Sequence, residues 1–143
     1  MELENNVGFF RFEDLRIYAK ALDYAVWLHK TLTSTSDELS PSSRDSFLNS
    51  ANAIALQTAE GSSRNKSQFL YYMKLAKSSV RECVVYTELA RRLDVLTLED
   101  YEYSRNQLME LTKMIGSLIS SIQRSIGNLS STEKEDVDMD PLL

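Results

Sequence analysis

The sequence predicts an all-α protein, an antiparallel up-down four-helix bundle, and three observations support this prediction. Apolar residues recur at three- and four-residue intervals over long stretches, which is the period of an amphipathic helix. The second, third and fourth of these stretches begin with a residue typical of a helix N-cap. Only four glycines and two prolines occur among 143 residues, too few for the many turns of a β-sheet protein.

Sequence signals mark the starts of three of the four expected helices. Ser40 followed by Pro41 is an N-cap and first-turn pair. Asn65 and Thr97 each stand three residues before a side chain that can complete a capping box. We expect Gly61 to adopt a left-handed conformation and to end the second helix. The predicted helices span residues 13–31, 41–60, 66–93 and 98–126.

The apolar pattern also predicts which side chains face the core. The first helix carries two neighbouring apolar sets, which is a wide stripe for a bundle helix. The first set is Leu15, Ala19, Leu22, Val26 and His29, and the second is Tyr18, Ala21, Ala25, Leu28 and Leu32. The inward positions of the other helices are Phe47, Ala51, Ile54, Ala55 and Thr58, then Phe69, Met73, Ala76, Val80, Cys83, Thr87 and Ala90, then Leu108, Leu111, Ile115, Leu118 and Ile122.

The formal charge of −5 is concentrated at the two ends of the chain. We expect residues 1–11 to form a flexible N-terminal segment and residues 128–143 an acidic, disordered tail, because such stretches cannot bury a core. The bundle itself, residues 12–127, is close to neutral. The acids of the tail are Glu133, Glu135, Asp136, Asp138 and Asp140, opposed by Lys134.

The sequence carries no signature of a catalytic, metal or cofactor site. The single histidine, His29, has no Glu-x-x-His partner of the kind used by metal-binding bundles. There is no glycine-rich phosphate loop and no Gly-x-Ser-x-Gly element. The lone cysteine, Cys83, excludes a disulfide framework and is expected in the core. Without a signal peptide or a membrane-length apolar run, we predict a cytoplasmic protein that does not bind membranes, is not an enzyme and needs no cofactor.

Basic residues gather in and just before the third predicted helix. They are Arg64, Lys66, Lys74, Lys77, Arg81, Arg91 and Arg92, with only Glu82 and Glu88 opposing them. Tyr71 and Tyr72 are close in the sequence, and a cationic strip with aromatic rings can hold phosphates and stack bases. The candidate nucleic-acid-binding residues are Arg64, Lys66, Lys74, Lys77 and Arg81. An ordinary solvated helix face has the same composition, and this alternative stays open.

The turn between the second and third helices has its own candidate cluster. Glu60 lies in the last helical turn, where a carboxylate is opposed by the helix dipole. We therefore expect Glu60 to bridge the bend, either by accepting from the amides of the third helix or by pairing with Arg64. Glu60, Gly61 and Arg64 are predicted to stabilise this helical hairpin.

The segment at residues 53–69, AIALQTAEGSSRNKSQF, resembles the central hairpin of a bacterial four-helix-bundle family that includes the 23S rRNA-intervening-sequence proteins. Two other segments also match, FEDLRIYAKALDYA at residues 12–25 and FLYYMKLAKSSVRE at residues 69–82. With the apolar last helix, the resemblance covers roughly residues 12–122. Its most specific part is Ala59-Glu60-Gly61 followed by Arg64.

The resemblance implies a bundle that assembles into a homopentameric ring and has no enzymatic activity. It also implies a relation to the accessory proteins of reverse transcriptases in diversity-generating retroelements, where a basic ring surface engages nucleic acid. We therefore predict a homo-oligomeric scaffold or adaptor. Its partners would be further copies of itself and RNA, DNA or a nucleic-acid enzyme.

One departure from the family pattern favours a second hypothesis. Family members commonly carry Arg-Arg-Ala where this chain has Leu48, Asn49 and Ser50. Two cations are therefore missing from a surface that could bind nucleic acid. The alternative is an oligomeric protein–protein interaction module without nucleic-acid binding, whose acidic tail occupies its own basic surface as a nucleic-acid mimic.

Overall fold

The computed structural model describes residues 9–33 and 38–128, and within these ranges the chain forms four α-helices and no β-strand. A short 3-10 turn, Arg11–Asp14, precedes the first helix. The helices are α1 (Arg16–Thr33), α2 (Pro41–Ser62), α3 (Lys66–Arg92) and α4 (Leu98–Gly127). The predicted all-α four-helix fold is confirmed.

The three predicted N-caps are present. In each, a side-chain oxygen accepts a hydrogen bond from the backbone N–H three residues later, which satisfies one of the free donors of the first turn. The pairs are Ser40 and Ser43 at 3.1 Å, Asn65 and Gln68 at 2.9 Å, and Thr97 and Asp100 at 3.0 Å. Local capping chemistry therefore fixes the starts of α2, α3 and α4.

The start of α1 differs from the prediction. Leu15 is extended, with φ −78° and ψ 126°, so it separates the 3-10 turn from α1, which begins at Arg16 rather than at Glu13. The Leu15 N–H donates to the Phe12 carbonyl at 3.0 Å and closes the turn. The acidic pair Glu13 and Asp14 thus belongs to the turn and not to the first turn of α1.

The contacts between helices show an antiparallel up-down order. Along α2 and α3, Ser50 contacts Glu82 and Gln57 contacts Ser79, so the numbering rises on one helix as it falls on the other. The remaining neighbouring helices show the same relation, because each pair has two contacts whose numbering runs in opposite directions. They are Leu32 with Arg44 and His29 with Asn52 for α1 and α2, Thr87 with Ser104 and Val84 beside Met109 for α3 and α4, and Tyr24 with Ser104 and Lys20 with Glu110 for α1 and α4.

The helices enclose one apolar core, to which all four contribute. The inward positions predicted for α2, α3 and α4 are buried, except that Phe69 and Leu118 are half-buried at its edge. Cys83 and Thr87 are fully enclosed. The periodicity of these three helices therefore identified their core faces.

On α1 the first of the two predicted apolar sets does not face the core. Leu22 and Val26 are 42% and 46% exposed, and His29 is exposed as well. The second set supplies the core, together with Ile17 and Tyr24, which the pattern did not select. Both sets have the helical period, and only the positions of α2 and α4 decide which one is covered.

The expected role of Gly61 was wrong. It lies inside α2, which continues to Ser62, and it does not have the left-handed conformation predicted for a helix stop. Among the non-glycine residues described, only Asp94 has a positive φ, of 60°. Glycine fits at position 61 because the residue is buried against α3, where a side chain would have no room.

Several predictions fall on residues outside the described ranges. These are residues 1–8 of the N-terminal segment, residues 34–37 between α1 and α2, and residues 129–143 of the acidic tail. Within the described ranges, no helix has the length and apolar character needed to span a bilayer.

Candidate nucleic-acid interface

Four cations of α3 lie on one face of the helix. At about 100° per residue, Lys66, Lys74, Lys77 and Arg81 fall within a sector of about 80°. We call these four residues the basic stripe. Lys66, Lys74 and Arg81 are exposed and Lys77 is half-buried. The stripe is about 22 Å long, since 15 residues separate its ends at 1.5 Å per residue.

The basic stripe carries no ion pair with any described residue, whereas the other cations of the third-helix cluster do. Arg64 pairs with Glu60, Arg91 with Asp94 and Arg92 with Glu88. A hydrogen bond from Tyr101 is the main cause that lowers the pKa of Glu88, and a hydrogen bond from Arg92 is the next. The Glu88–Arg92 pair therefore stays charged. Within the described part of the chain, the stripe is the segment of α3 whose positive charge is not offset by a neighbouring carboxylate.

The stripe belongs to a larger surface without acids. Residues 65–81, the first part of α3, contain no aspartate or glutamate, and neither do residues 111–127, the last part of α4. Because the two helices are antiparallel, these segments lie side by side at one end of the bundle. Lys113 and Arg124 of α4 are exposed there. We call the two segments together the acid-free face.

The nearest carboxylate in the sequence is turned away from the stripe. Glu82 accepts a hydrogen bond from Ser50 of α2 at 2.7 Å. The sector of the stripe also contains Val84, which lines a groove with Arg105 and Met109 of α4. The stripe therefore borders α4, whereas Glu82 is held towards α2 on another side of the helix.

The aromatic residues predicted to accompany the cations do not lie on the stripe. Tyr72 is half-buried, with its Cβ against α2 at Gly61. Tyr71 is half-buried and meets the Tyr72 ring edge-on, with 5.6 Å between ring centroids. Both rings are at least about 60° of helix rotation from the stripe. The site is thus a row of charges, without a stacking platform of exposed rings.

Arg64 is separated from the stripe by its own contacts. Its Nε lies 3.1 Å from Glu60 Oε1, and its guanidinium carbon lies 5.6 Å from the centroid of the Tyr72 ring. The ion pair expected between Glu60 and Arg64 is therefore present. Because its charge is offset, Arg64 is a member of the hairpin cluster and not a free phosphate ligand.

The hairpin cluster is completed by Gly61. A Cβ built on Gly61 would lie 2.6 Å from Tyr72 Cβ and 3.1 Å from Phe69 Cδ1. The carbonyls that end α2 are satisfied by serine hydroxyls, from Ser62 to Ala59 and from Ser63 to Glu60. Glycine lets α2 and α3 approach closely at the bend, and the Glu60–Arg64 pair covers the outside of this contact.

The positions that depart from the family's Arg-Arg-Ala element have separate environments. Leu48 is half-buried against the core, Asn49 is exposed and Ser50 is buried at the α2–α3 contact. Position 49 is therefore the one of the three where a cation would face solvent freely. The absence of a basic residue there leaves α3 as the source of the basic surface.

A second surface feature is an apolar groove between α1 and α2, with a volume of about 400 Å³. Its walls include Phe12, Tyr18, Leu22, Ala55, Leu56 and Ala59. Leu56 is 68% exposed, although leucine is usually buried. We call this feature the apolar groove. An exposed apolar surface can serve as a contact with another molecule.

A buried chain of hydrogen bonds links α1, α3 and α4. Tyr24 Oη lies 2.8 Å from Ser104 Oγ, which lies 2.8 Å from Thr87 Oγ1, and Thr87 donates to the Cys83 carbonyl at 2.7 Å. Burial is the main cause that raises the pKa of the Tyr24 phenol and of the Cys83 thiol. Both groups are therefore neutral, which suits a structural contact and not an activated nucleophile.

The remaining chemical candidates do not form a cluster. His29 is exposed, with Nε2 3.0 Å from Asn52 Oδ1. Among the described residues, no group of three or more His, Cys, Asp or Glu side chains is placed to hold a metal ion.

The fold and its surfaces define a helical bundle with a basic stripe on one helix and an apolar groove between two others. The chain belongs to the 23S rRNA-intervening sequence protein family, whose pattern it matches over residues 13–117. The family resemblance inferred from residues 53–69 is thereby confirmed. No curated protein matches this sequence.

A solved structure shares the fold. It is the 1.70 Å crystal structure of a protein with unknown function from the S23 ribosomal protein family of Bacteroides thetaiotaomicron VPI-5482. The two chains are 22% identical, and the match covers 73% of this chain and 95% of the other, with a TM-score of 0.64. At this identity the likeness extends to the fold alone.

Proposed function

We propose that this protein is a non-enzymatic, self-associating bundle that acts as a scaffold or adaptor and binds nucleic acid through its basic stripe. The observation that carries the proposal is the row of four α3 cations without a described carboxylate partner, on a face that has no acids. Phosphate groups would provide the missing negative charge. The partner is RNA, DNA or a nucleic-acid enzyme, such as a reverse transcriptase of a diversity-generating retroelement.

Charge and spacing support this proposal. Each exposed contact between a lysine and a phosphate is weak, and affinity comes from several contacts that release counterions together. Four cations over about 22 Å can follow several consecutive phosphates of one strand. Without exposed rings beside the stripe, the interaction would read the backbone and not the base sequence. Nucleic-acid binding should therefore be insensitive to sequence and strongly dependent on salt.

Self-association would increase the effect of the stripe. The apolar groove provides a surface for a second copy, and we propose assembly into a cytoplasmic ring of five copies. A ring repeats the stripe around its circumference, so that one polymer contacts several subunits. Contacts that are weak in one subunit then add up to stable binding.

The test is a charge-removal series measured by fluorescence anisotropy with a labelled single-stranded oligonucleotide. Lys74→Gln, Lys77→Gln and Arg81→Gln together should weaken binding by at least about tenfold and flatten its salt dependence. The matched control removes three exposed α1-side cations, with the substitutions Arg11→Gln, Arg16→Gln and Lys30→Gln. Equal losses in the two triple variants would mean that net charge, and not the stripe, causes binding.

A protein–protein interaction module without nucleic-acid binding is the second candidate. The exposed apolar groove and the uncharged pair Leu48 and Asn49 favour it. The same anisotropy experiment separates the two candidates if it is repeated with the five tail acids neutralised to amides. If that full-length variant also binds no oligonucleotide at low salt, the protein-only function stands.

A further inference from the structure

Asn128, the last described residue before the acidic tail, lies beside the acid-free face. The Thr87–Ser104 contact sets the register of the antiparallel helices α3 and α4. Lys66 lies 21 residues before Thr87 on α3, and Ser125 lies 21 residues after Ser104 on α4. Lys66 and Ser125 are therefore at about the same level along the bundle. Asn128, which caps α4, therefore lies within about 4.5 Å, three residues of helical rise, of the level of Lys66.

The dimensions of the tail match those of the basic stripe. An extended chain covers about 3.3 Å per residue, so the five residues from Asn128 to Glu133 span up to about 17 Å. The acids from Glu133 to Asp140 then extend over about 23 Å, against about 22 Å for the stripe. The first acid can reach Lys66, and the last can reach Arg81 on the same subunit.

The charges are complementary as well. The tail segment from Glu133 to Asp140 has five acids and one lysine. The stripe has four cations without a carboxylate partner among the described residues, on a face where α3 and α4 have no acid. Each exposed ion pair is weak and favours the docked tail over the free tail by a factor of about two in the equilibrium constant. Four pairs together give roughly a tenfold preference for the docked tail.

We infer that residues 129–143 dock along the basic stripe of their own bundle and regulate it as an intramolecular competitor of polyanions. The docked tail places its carboxylates where a strand's phosphates would lie. The regulatory consequence rests on the proposed nucleic-acid binding, whereas the docking itself does not. An oligonucleotide must displace the tail before it can bind.

A zero-length cross-linking experiment on the full chain tests the docking. A carbodiimide joins carboxylates to lysine amines that are in contact, and mass spectrometry of the digested protein identifies the joined peptides. At about 20 mM salt, we expect links from the tail acids to Lys66, Lys74 and Lys77, and at about 500 mM salt we expect them to be lost. Lys30 is exposed at the opposite end of the bundle and serves as the internal control.

Isotope labelling shows whether the links are within one chain. When ¹⁵N-labelled and unlabelled chains are mixed in denaturant and refolded together, each joined peptide pair should carry a single isotope. Links of mixed isotope would overturn docking on the same subunit. The absence of stripe links, or equal yields at Lys30, would overturn the docking altogether.

An affinity measurement tests the competition. The variant Glu133→Gln, Glu135→Gln, Asp136→Asn, Asp138→Asn and Asp140→Asn should bind a labelled oligonucleotide roughly tenfold more tightly than the unmodified chain. A matched control neutralises five exposed acids elsewhere, Glu13, Asp23, Glu38, Asp45 and Glu102. An equal gain in that control would overturn the competition, because net charge would then explain it.

The outcomes for the two proposals are distinct. Cross-links at the stripe without oligonucleotide binding by any variant would contradict the proposed function and leave the docking standing. Oligonucleotide binding that depends on Lys74, Lys77 and Arg81, without stripe cross-links, would contradict the docking and leave the proposed function standing.

Discussion

Gly61 shows how one absent methyl group sets the distance between two helices. A Cβ at this position would lie 2.6 Å from Tyr72 Cβ, which is attached directly to the α3 backbone. A flexible side-chain end could move aside, but a Cβ moves only with its helix. The Glu60–Arg64 pair and the Tyr72 ring beneath it therefore depend on the glycine between them.

Gly61→Ala should destabilise the protein by about 1–2 kcal/mol, because overpacking costs more than the helix propensity gained from alanine. The matched control is Gly116→Ala in α4, where an added Cβ meets nothing within 4 Å. The control should be neutral or stabilising by up to about 1 kcal/mol. Urea denaturation measures both free energies of unfolding, and a shift of the same sign in both variants would contradict the packing argument.

The end of α3 is a Schellman motif that uses an aspartate where glycine is common. Asp94 has φ 60°, the Val95 N–H donates to the Ala90 carbonyl at 2.8 Å and the Asp94 N–H donates to the Arg91 carbonyl at 3.1 Å. Val95 and the following Leu96 are buried, so the motif directs the chain into the core before α4 begins.

Asp94→Gly should stabilise the protein by about 0.5–1 kcal/mol, since glycine adopts the left-handed conformation without strain. The lost ion pair with Arg91, at 3.7 Å and with an Asp94 side chain that is 89% exposed, contributes little. Asp94→Ala is the control, because it removes the same carboxylate and keeps the Cβ. Thermal unfolding should rank the glycine variant above the alanine variant, because only glycine relieves the left-handed backbone of its Cβ, and the reverse order would contradict the argument from backbone strain.

The two surface features of the bundle lie on different sides of the molecule. The α1–α2 side presents the apolar groove, and the α3–α4 side presents the acid-free face. The two surfaces share no lining residue, so copies of the chain can associate through one while the other stays accessible. The proposed ring-forming adaptor would require such a separation.

Leu22→Gln with Leu56→Gln should lower the particle mass measured by light scattering, because the double variant makes the apolar groove polar. The free energy of unfolding of the bundle itself should change little, since the two side chains are already 42% and 68% exposed. Val85→Gln on α3, where the side chain is 66% exposed, is the control. An unchanged mass for the double variant would show that self-association uses another surface.

Much of this architecture was predictable from local signals. The caps at Ser40, Asn65 and Thr97 depend on hydrogen bonds within one helical turn, and the sequence shows both partners. The core faces of α2, α3 and α4 followed from one unambiguous apolar stripe on each helix. The pairing of Glu60 with Arg64 was also predictable, since the two residues are four positions apart in the sequence.

The basic stripe was only partly predictable, because the sequence does not show which neighbouring helix each charged side chain contacts. Lys66, Lys74, Lys77 and Arg81 were recognised as cations, and their shared face follows from the helical period. The helical period does not show which carboxylates reach these cations. Glu82 is next to Arg81 in the sequence, but it accepts a hydrogen bond from Ser50 of α2. The acid-free segment of α4, with Lys113 and Arg124, was missed because its position beside the stripe depends on the register between α3 and α4, which contacts such as Thr87 with Ser104 show.

The four helices, the caps of α2, α3 and α4 and the excess of positive charge on α3 were predictable from the amino-acid sequence, because these depend on residues within a few positions of one another. The apolar stripe of α1 that is buried, the need for glycine at position 61 and the position of the α4 end relative to the basic stripe became clear only from the packing of the helices. Each of these depends on the distance between residues of different helices, and the packing of those helices sets that distance.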